Sequence, residues 1–199
     1  MKVVFLTAYY WPHLGGVEKH VWRVSQELVK KGHEIVIITY GGTAHAQDAG
    51  IKVVHLPIDA RANKIKTWRA LLKHRQLLSS ADVVHVHDVM WWLWPTWWLW
   101  SSKLYITFHG WETKWPIPVR YILMRRLAEC VCKGSIHVGS WIEKYYGDTP
   151  SKIVYGGTDL LPLSITKVND GQLKCLFVGR LSHDNQISWY GSLVKEIQK

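Results

Sequence analysis

Two histidines, two residues apart and followed directly by an acid, close the apolar run "ADVVHVHD": His85, His87 and Asp88. Alternate residues of a strand point to one face, so both imidazoles share a side and Asp88 falls just past the strand's carboxyl end. Such a pair can ligate a metal, but no third ligand stands at a recognisable spacing, and no metal is expected. Asp88 and His87 read instead as polar groups lining a pocket at the strand end. A second run, "ITFHGWE", carries His109 and then Glu112. Glu112 is either a group that reaches an acceptor hydroxyl or a solvated loop acid, since a general base must sit within hydrogen-bond reach of its proton. In "YYWPHLGGVEKHV", Gly15 and Gly16 stand between an apolar run and a helical period. Lacking Cβ atoms, they either let bare backbone approach an anionic ligand at a helix N-terminus or form a tight turn. Glu18, in the first helical turn, is either an acid favoured by the helix dipole or a ligand group.

All of these residues follow short runs rich in Val and Ile. The strands predicted by those runs are Val3 to Thr7, Ile35 to Thr39, Lys52 to Leu56, Val83 to His87, Leu104 to Phe108, Ser135 to Val138 and Lys152 to Val154. Helical periods fall between several of them: Val17 to Lys31 stopped by Gly32, Lys64 to Leu78, Val89 to Ser101, Pro118 to Cys132 and Ser140 to Tyr146. Alternation of this kind predicts the α/β class, a Rossmann-like doubly wound parallel sheet whose ligands sit at the carboxyl ends of the strands. After Asp159 the pattern loosens into a linker, and a further strand, Leu173 to Val178, is followed by one helix. The domains expected are residues 1–165 and, in 166–199, a linker with the opening of a second domain.

The totals set the class of partner. With 48% apolar and 20% charged residues the chain folds, and its net charge of +10 favours anionic partners. No recognition motif for nucleic acid accompanies the charge, and none is expected as a partner. Three cysteines suggest no disulfide framework, and a reducing cytoplasm is expected. The apolar run at Val3 to Leu6 is too short for a signal peptide. Val89 to Trp100 would reach only about 18 Å as a helix, short of a bilayer's hydrocarbon core.

Two neighbouring segments suggest a surface role. "RANKIKTWRALLKHR" holds six Lys/Arg and no acid, with Ile65, Trp68, Leu71 and Leu72 as an apolar stripe and Lys64, Lys66, Arg69 and Lys73 around it. Read as a basic amphipathic helix, it either covers the sheet or lies on an anionic bilayer. "VMWWLWPTWWLWSS", read as a helix, puts Trp91, Trp94 and Trp98 on one side, suited to a membrane interface or a partner. Arg120, Arg125 and Arg126 add to the basic surface. Peripheral contact with the inner face of a membrane is the expectation.

The stretches "YYWPHLGGVEKHVWRVSQELVKKGHEIVIIT", "ADVVHVHD", "ITFHGWE", "HVGSWIEKYYG", "KIVYGGTDL" and "LFVGRL", in that order, resemble family 4 glycosyltransferases of the two-domain GT-B fold. The resemblance implies a retaining transferase that takes a sugar from a UDP- or GDP-sugar as substrate, without a further cofactor. It implies that Gly15 and Gly16 approach the donor's diphosphate and sugar, that His109 lies beside the transferred sugar, and that Arg180 neutralises the leaving diphosphate. Such groups suit the chemistry, because negative charge develops on the departing phosphate. The sequence departs from the family after that arginine, where Asn185 and Gln186 replace an expected lysine and its neighbour. The chain thus corresponds to the acceptor-binding half with the start of a donor-binding domain, and a separate chain or a homo-oligomer would complete it. The acceptor implied is a lipid-linked or polysaccharide one. The alternative is a non-catalytic module that binds a glycan, a lipid headgroup or a partner.

Overall fold

A computed structural model describes residues 1–40, 50–58, 63–110 and 116–157. These residues fall in one compact unit, Met1–Thr158. The expected domain boundary at residue 165, the linker and the strand at Leu173 to Val178 lie outside the described residues.

Seven strands form one sheet: β1 Lys2–Thr7, β2 Glu34–Tyr40, β3 Ile51–Leu56, β4 Val83–His87, β5 Leu104–Phe108, β6 Gly134–His137 and β7 Lys152–Ile153. Their order is β3-β2-β1-β4-β5-β6-β7. Every neighbouring pair is parallel. Parallel pairing demands that both faces be covered, and the side-chain alternation of β1 shows how. Val3 and Phe5 enter one apolar cluster with Val21, Ile35 and Ile37, closed by Val17, Val24 and Leu28 of the first helix. Val4 and Leu6 enter the other, with Val36, Ile38, Val84, Trp92 and Leu104. Each of these fully buried aliphatic side chains contributes about 1.5–3 kcal/mol relative to exposure.

The helices are α1 Gly16–Lys30, α2 Lys64–Lys73, α3 Arg75–Ser79, α4 Val119–Val131 and α5 Ser140–Tyr146. α1 ends as its sequence suggests. Gly32 takes a positive φ of 79°, its amide bonds the Val29 carbonyl at 2.8 Å, and the His33 amide bonds that of Leu28 at 3.1 Å. This pair of bonds is a Schellman cap. Asn63 caps the start of α2 by accepting from the Lys66 amide at 2.9 Å.

Two helix expectations are corrected. Lys64 to Leu78 is not one helix: it breaks at His74, whose amide bonds Leu71 three residues back, and α3 then carries Leu78 into the core. The face of α2 turned inward is Thr67, Ala70 and Leu71, with the Thr67 hydroxyl 3.2 Å from that of Tyr40. Val89 to Ser101 is not an α-helix at all. Three short 3-10 turns, Met90–Trp92, Trp97–Leu99 and Ser101–Lys103, take its place. Pro95, in the middle of the segment, offers no amide hydrogen and its ring clashes with the preceding turn, so a continuous helix cannot pass through it. The tryptophans therefore do not sort by helical face.

Candidate active site

Consecutive strands wind in opposite directions from the β1–β4 pair, which makes the carboxyl ends of those strands the topological switch point where open α/β sheets bind ligands. The turn leaving β1 contains Gly15 and Gly16, and α1 starts at Gly16. Gly15 has extended backbone, with φ 179°, a conformation open to any residue. The Glu18 carboxylate folds back over Gly15, where it would have to move aside for a Cβ. A Cβ on Gly16 would point into open space. Glu18 is buried and its Oε1 lies 3.3 Å from Nδ1 of His13.

His87 ends β4 and is 1% exposed. Its Nδ1 lies 2.9 Å from Nε2 of His109, the residue after β5. Asp88 clamps His109 from the backbone side. Its Oδ1 accepts from the His109 amide at 3.0 Å, while its own amide donates to the Thr107 carbonyl at 3.1 Å. To do so Asp88 adopts φ 60°, a left-handed conformation that short polar side chains tolerate better than most, at a cost of order 1 kcal/mol. The ends of β4 and β5 are thereby tied together around His109.

His85 and His87 do share a face, with rings stacked at 4.5 Å, and the Nε2 of His85 lies 2.7 Å from the Thr107 hydroxyl. Sequence reasoning passed over His20, which comes from α1 and meets His109 edge-on with ring centroids 4.8 Å apart. Its position was legible: residues 17, 20, 21, 24 and 28 make one helical stripe, so His20 lies on the face toward the sheet. One nitrogen from each of His20, His87 and His109 falls within 4.8 Å of the others.

Burial dominates the electrostatics. It lowers the His20 pKa, and together with the neighbouring charge of His20 it brings His85 to about 4. His87 is held well below the usual value by burial and by His85, His109 and His20. Burial, then His20 and His85, bring His109 to about 3. All four rings are neutral at pH 7, each with one N–H and one lone pair.

Beside Asp88 lies a small pocket, open to solvent, lined by Trp91, Trp94, Phe108, Met124 and Arg125 among others. Trp91 and Trp94 thus line a pocket instead of forming an outer surface with Trp98, which alone of the three is exposed, at 58%. Arg125 is corrected too. It is 3% exposed, its guanidinium lies between the rings of Phe108 at 4.0 Å and Tyr146 at 3.8 Å, and it donates to the Gly110 carbonyl at 3.1 Å. It braces the segment after His109 and adds nothing to a basic surface. Glu112 and Arg180 lie outside the described residues.

Of the expected surface residues, Lys64, Lys66, Arg69 and Lys73 are exposed, with Ile65 and Leu72 exposed among them. Trp68 is half-buried and donates its indole N–H to the Trp91 carbonyl at 2.9 Å, fastening α2 to the Trp-rich segment. α4 adds an unforeseen apolar stripe at helical spacing, Val119, Leu123 and Leu127, each more than half exposed. Among the described residues no helix is long and apolar enough to cross a membrane.

The seven-stranded parallel sheet flanked by helices is a Rossmann-like α/β domain of the GT-B type. Residues 14–160 match Glycosyltransferase Family 4, and the chain belongs to that family. Among curated proteins it is similar to one of the subunits of human phosphatidylinositol N-acetylglucosaminyltransferase, 32% identical over 96 residues, which are 44% of this chain and 20% of that protein. It is also 40% identical over 61 residues to the GPI3 component of the Saccharomyces cerevisiae phosphatidylinositol N-acetylglucosaminyltransferase, covering 28% of this chain and 13% of that one. The matches thus span a fifth or less of the relatives' length. Among solved structures, sucrose-phosphate synthase from Thermosynechococcus elongatus shares the fold, with a TM-score of 0.57 at 11% identity over 79% of this chain and 48% of that one.

Proposed function

We propose that this chain supplies the acceptor-binding half of a retaining glycosyltransferase that moves a sugar from a UDP- or GDP-sugar to a membrane lipid of the phosphatidylinositol class. One observation carries the reading: His109 is fixed by Asp88 and His87 at the switch point, where the turn with Gly15 and Gly16 also leaves β1. The headgroup class comes from the names of the human and yeast relatives.

In this reading the amides at the start of α1 and Gly16's open approach receive the donor's diphosphate, where unpaired N–H groups and the helix dipole favour anions. Arg180 neutralises the leaving phosphate. His109 is neutral, so it serves as a fixed hydrogen-bonding group beside the transferred sugar and not as a proton source at neutral pH. The pocket beside Asp88, walled by Trp91 and Trp94, receives the acceptor headgroup. Exposed Lys64, Lys66, Arg69 and Lys73 hold the domain on the anionic inner face of the membrane. A donor-binding domain completes the enzyme, and the exposed Val119, Leu123 and Leu127 stripe of α4 offers an apolar seat to a packed neighbour.

The test is calorimetric titration with UDP-N-acetylglucosamine, other UDP-sugars and GDP-sugars, followed by transfer of label to phosphatidylinositol vesicles. Salt-resistant binding of one donor, with turnover lost in His109→Ala of unchanged circular dichroism, supports the reading. Donor-independent binding of vesicles alone points to the non-catalytic module.

A further inference from the structure

We propose that His20, His87 and His109 together bind one divalent transition-metal ion of the imidazole-preferring kind, zinc or cobalt. Three elements far apart in sequence converge to make the site: α1 brings His20, the end of β4 brings His87 and the end of β5 brings His109. Sequence spacing shows only the His85 and His87 pair, and the fold supplies the rest.

The geometry is close to what a metal needs. One nitrogen from each ring lies within 4.8 Å of the others, and His87 and His109 already approach to 2.9 Å. Zinc–nitrogen bonds of about 2.0–2.1 Å at tetrahedral angles place ligand nitrogens roughly 3.3 Å apart. The observed separations bracket that spacing. No carboxylate enters the trio, so it has the wrong chemistry for magnesium or calcium and the right one for zinc, cobalt or nickel.

Three protein ligands leave a coordination position open, as at metal centres that take water or a substrate atom. A metal there takes the lone pair of one His109 nitrogen, the same ring the transferase reading sets beside the sugar. Metal and donor then compete for the ring. The binding itself does not depend on that reading, because it is measured without any sugar.

The experiment is titration of the full chain with Co²⁺, followed by the visible bands of a four-coordinate cobalt site and by calorimetry. One equivalent is expected to bind, displaced by one equivalent of Zn²⁺. His20→Ala, a change on a half-exposed helix position, is expected to weaken binding by more than the roughly 10–100-fold typical of losing an outer-sphere partner. His13→Ala, at an exposed histidine stacked on Tyr9, is expected to leave it unchanged. A second trio, Glu129, His137 and Asp148, is the control. Absence of a saturable cobalt signal, an unaltered affinity in His20→Ala, or a signal lost in folded Glu129→Gln while kept in His20→Ala would each overturn the proposal.

Discussion

Nδ1 of His87 and Nε2 of His109 lie 2.9 Å apart, so a buried side chain at the end of one strand orients the ring that follows the next. Replacing His87 by Phe preserves the aromatic volume in the core and removes only the polar tether. Transfer is expected to fall about 10²-fold, the scale set by misplacing a positioned group by about 1 Å, with the melting temperature moved far less than by His87→Ala. Steady-state kinetics beside thermal melts checks this, and an unchanged kcat contradicts it.

The histidine cluster also makes stability depend on pH. Its rings have lower pKa values folded than unfolded, His85 at about 4 and His109 at about 3 against an ordinary 6.5. The unfolded chain therefore binds more protons below pH 6.5, and the folded state loses stability as pH falls from 6.5 toward 4. Each ring that must stay neutral costs about 2 kcal/mol at pH 5. Chelator-treated protein is expected to unfold at markedly lower urea at pH 5 than at pH 7. His85→Gln reduces the difference. Equal midpoints at both pH values contradict the account.

Arg125 is expected to behave as a core residue. Its guanidinium lies between Phe108 and Tyr146 and donates to Gly110. Arg125→Ala is expected to destabilise by at least about 2 kcal/mol through the lost desolvated cation–π contacts alone. Arg125→Lys recovers little, because an ammonium neither stacks as a plane nor reaches as a fork. Chemical denaturation measures both.

The strands were legible because each is a short Val/Ile run bounded by turn residues, and the structure moves their ends by only a residue or so. The helix at Val17 was legible from its stripe and from Gly32, whose positive φ the helix end needs. The Trp-rich segment misled because its apolar density suggested a helix while one residue, Pro95, forbade it. Charge misled at Arg125, since a sequence shows a cation and not the two rings that enclose it. Of the candidate site, Asp88, His87 and the glycine pair came from strand ends and turns, and His109 from the family resemblance. His20 required knowing which face of α1 meets the sheet, and its convergence with two strand ends is a tertiary fact.

Lys64, Lys66, Arg69 and Lys73, with Ile65 and Leu72 exposed among them, are expected to bind anionic vesicles. Each basic side chain near such a surface contributes about 1 kcal/mol. Pelleting with phosphatidylserine-containing vesicles is expected at low salt, with little on neutral vesicles and a large loss in Lys64→Glu/Lys66→Glu. Background pelleting on both kinds of vesicle contradicts the membrane role.

The most direct measurement of the central claim is sugar transfer from labelled nucleotide sugars to phosphatidylinositol vesicles, by this chain in the presence of a donor-binding domain, comparing wild type with His109→Ala. The account predicts transfer by the wild type and a loss of roughly 10²–10³-fold in His109→Ala, as for removal of a preorganised polar group at a transition state, with the fold intact. Transfer at the wild-type rate in His109→Ala would contradict it.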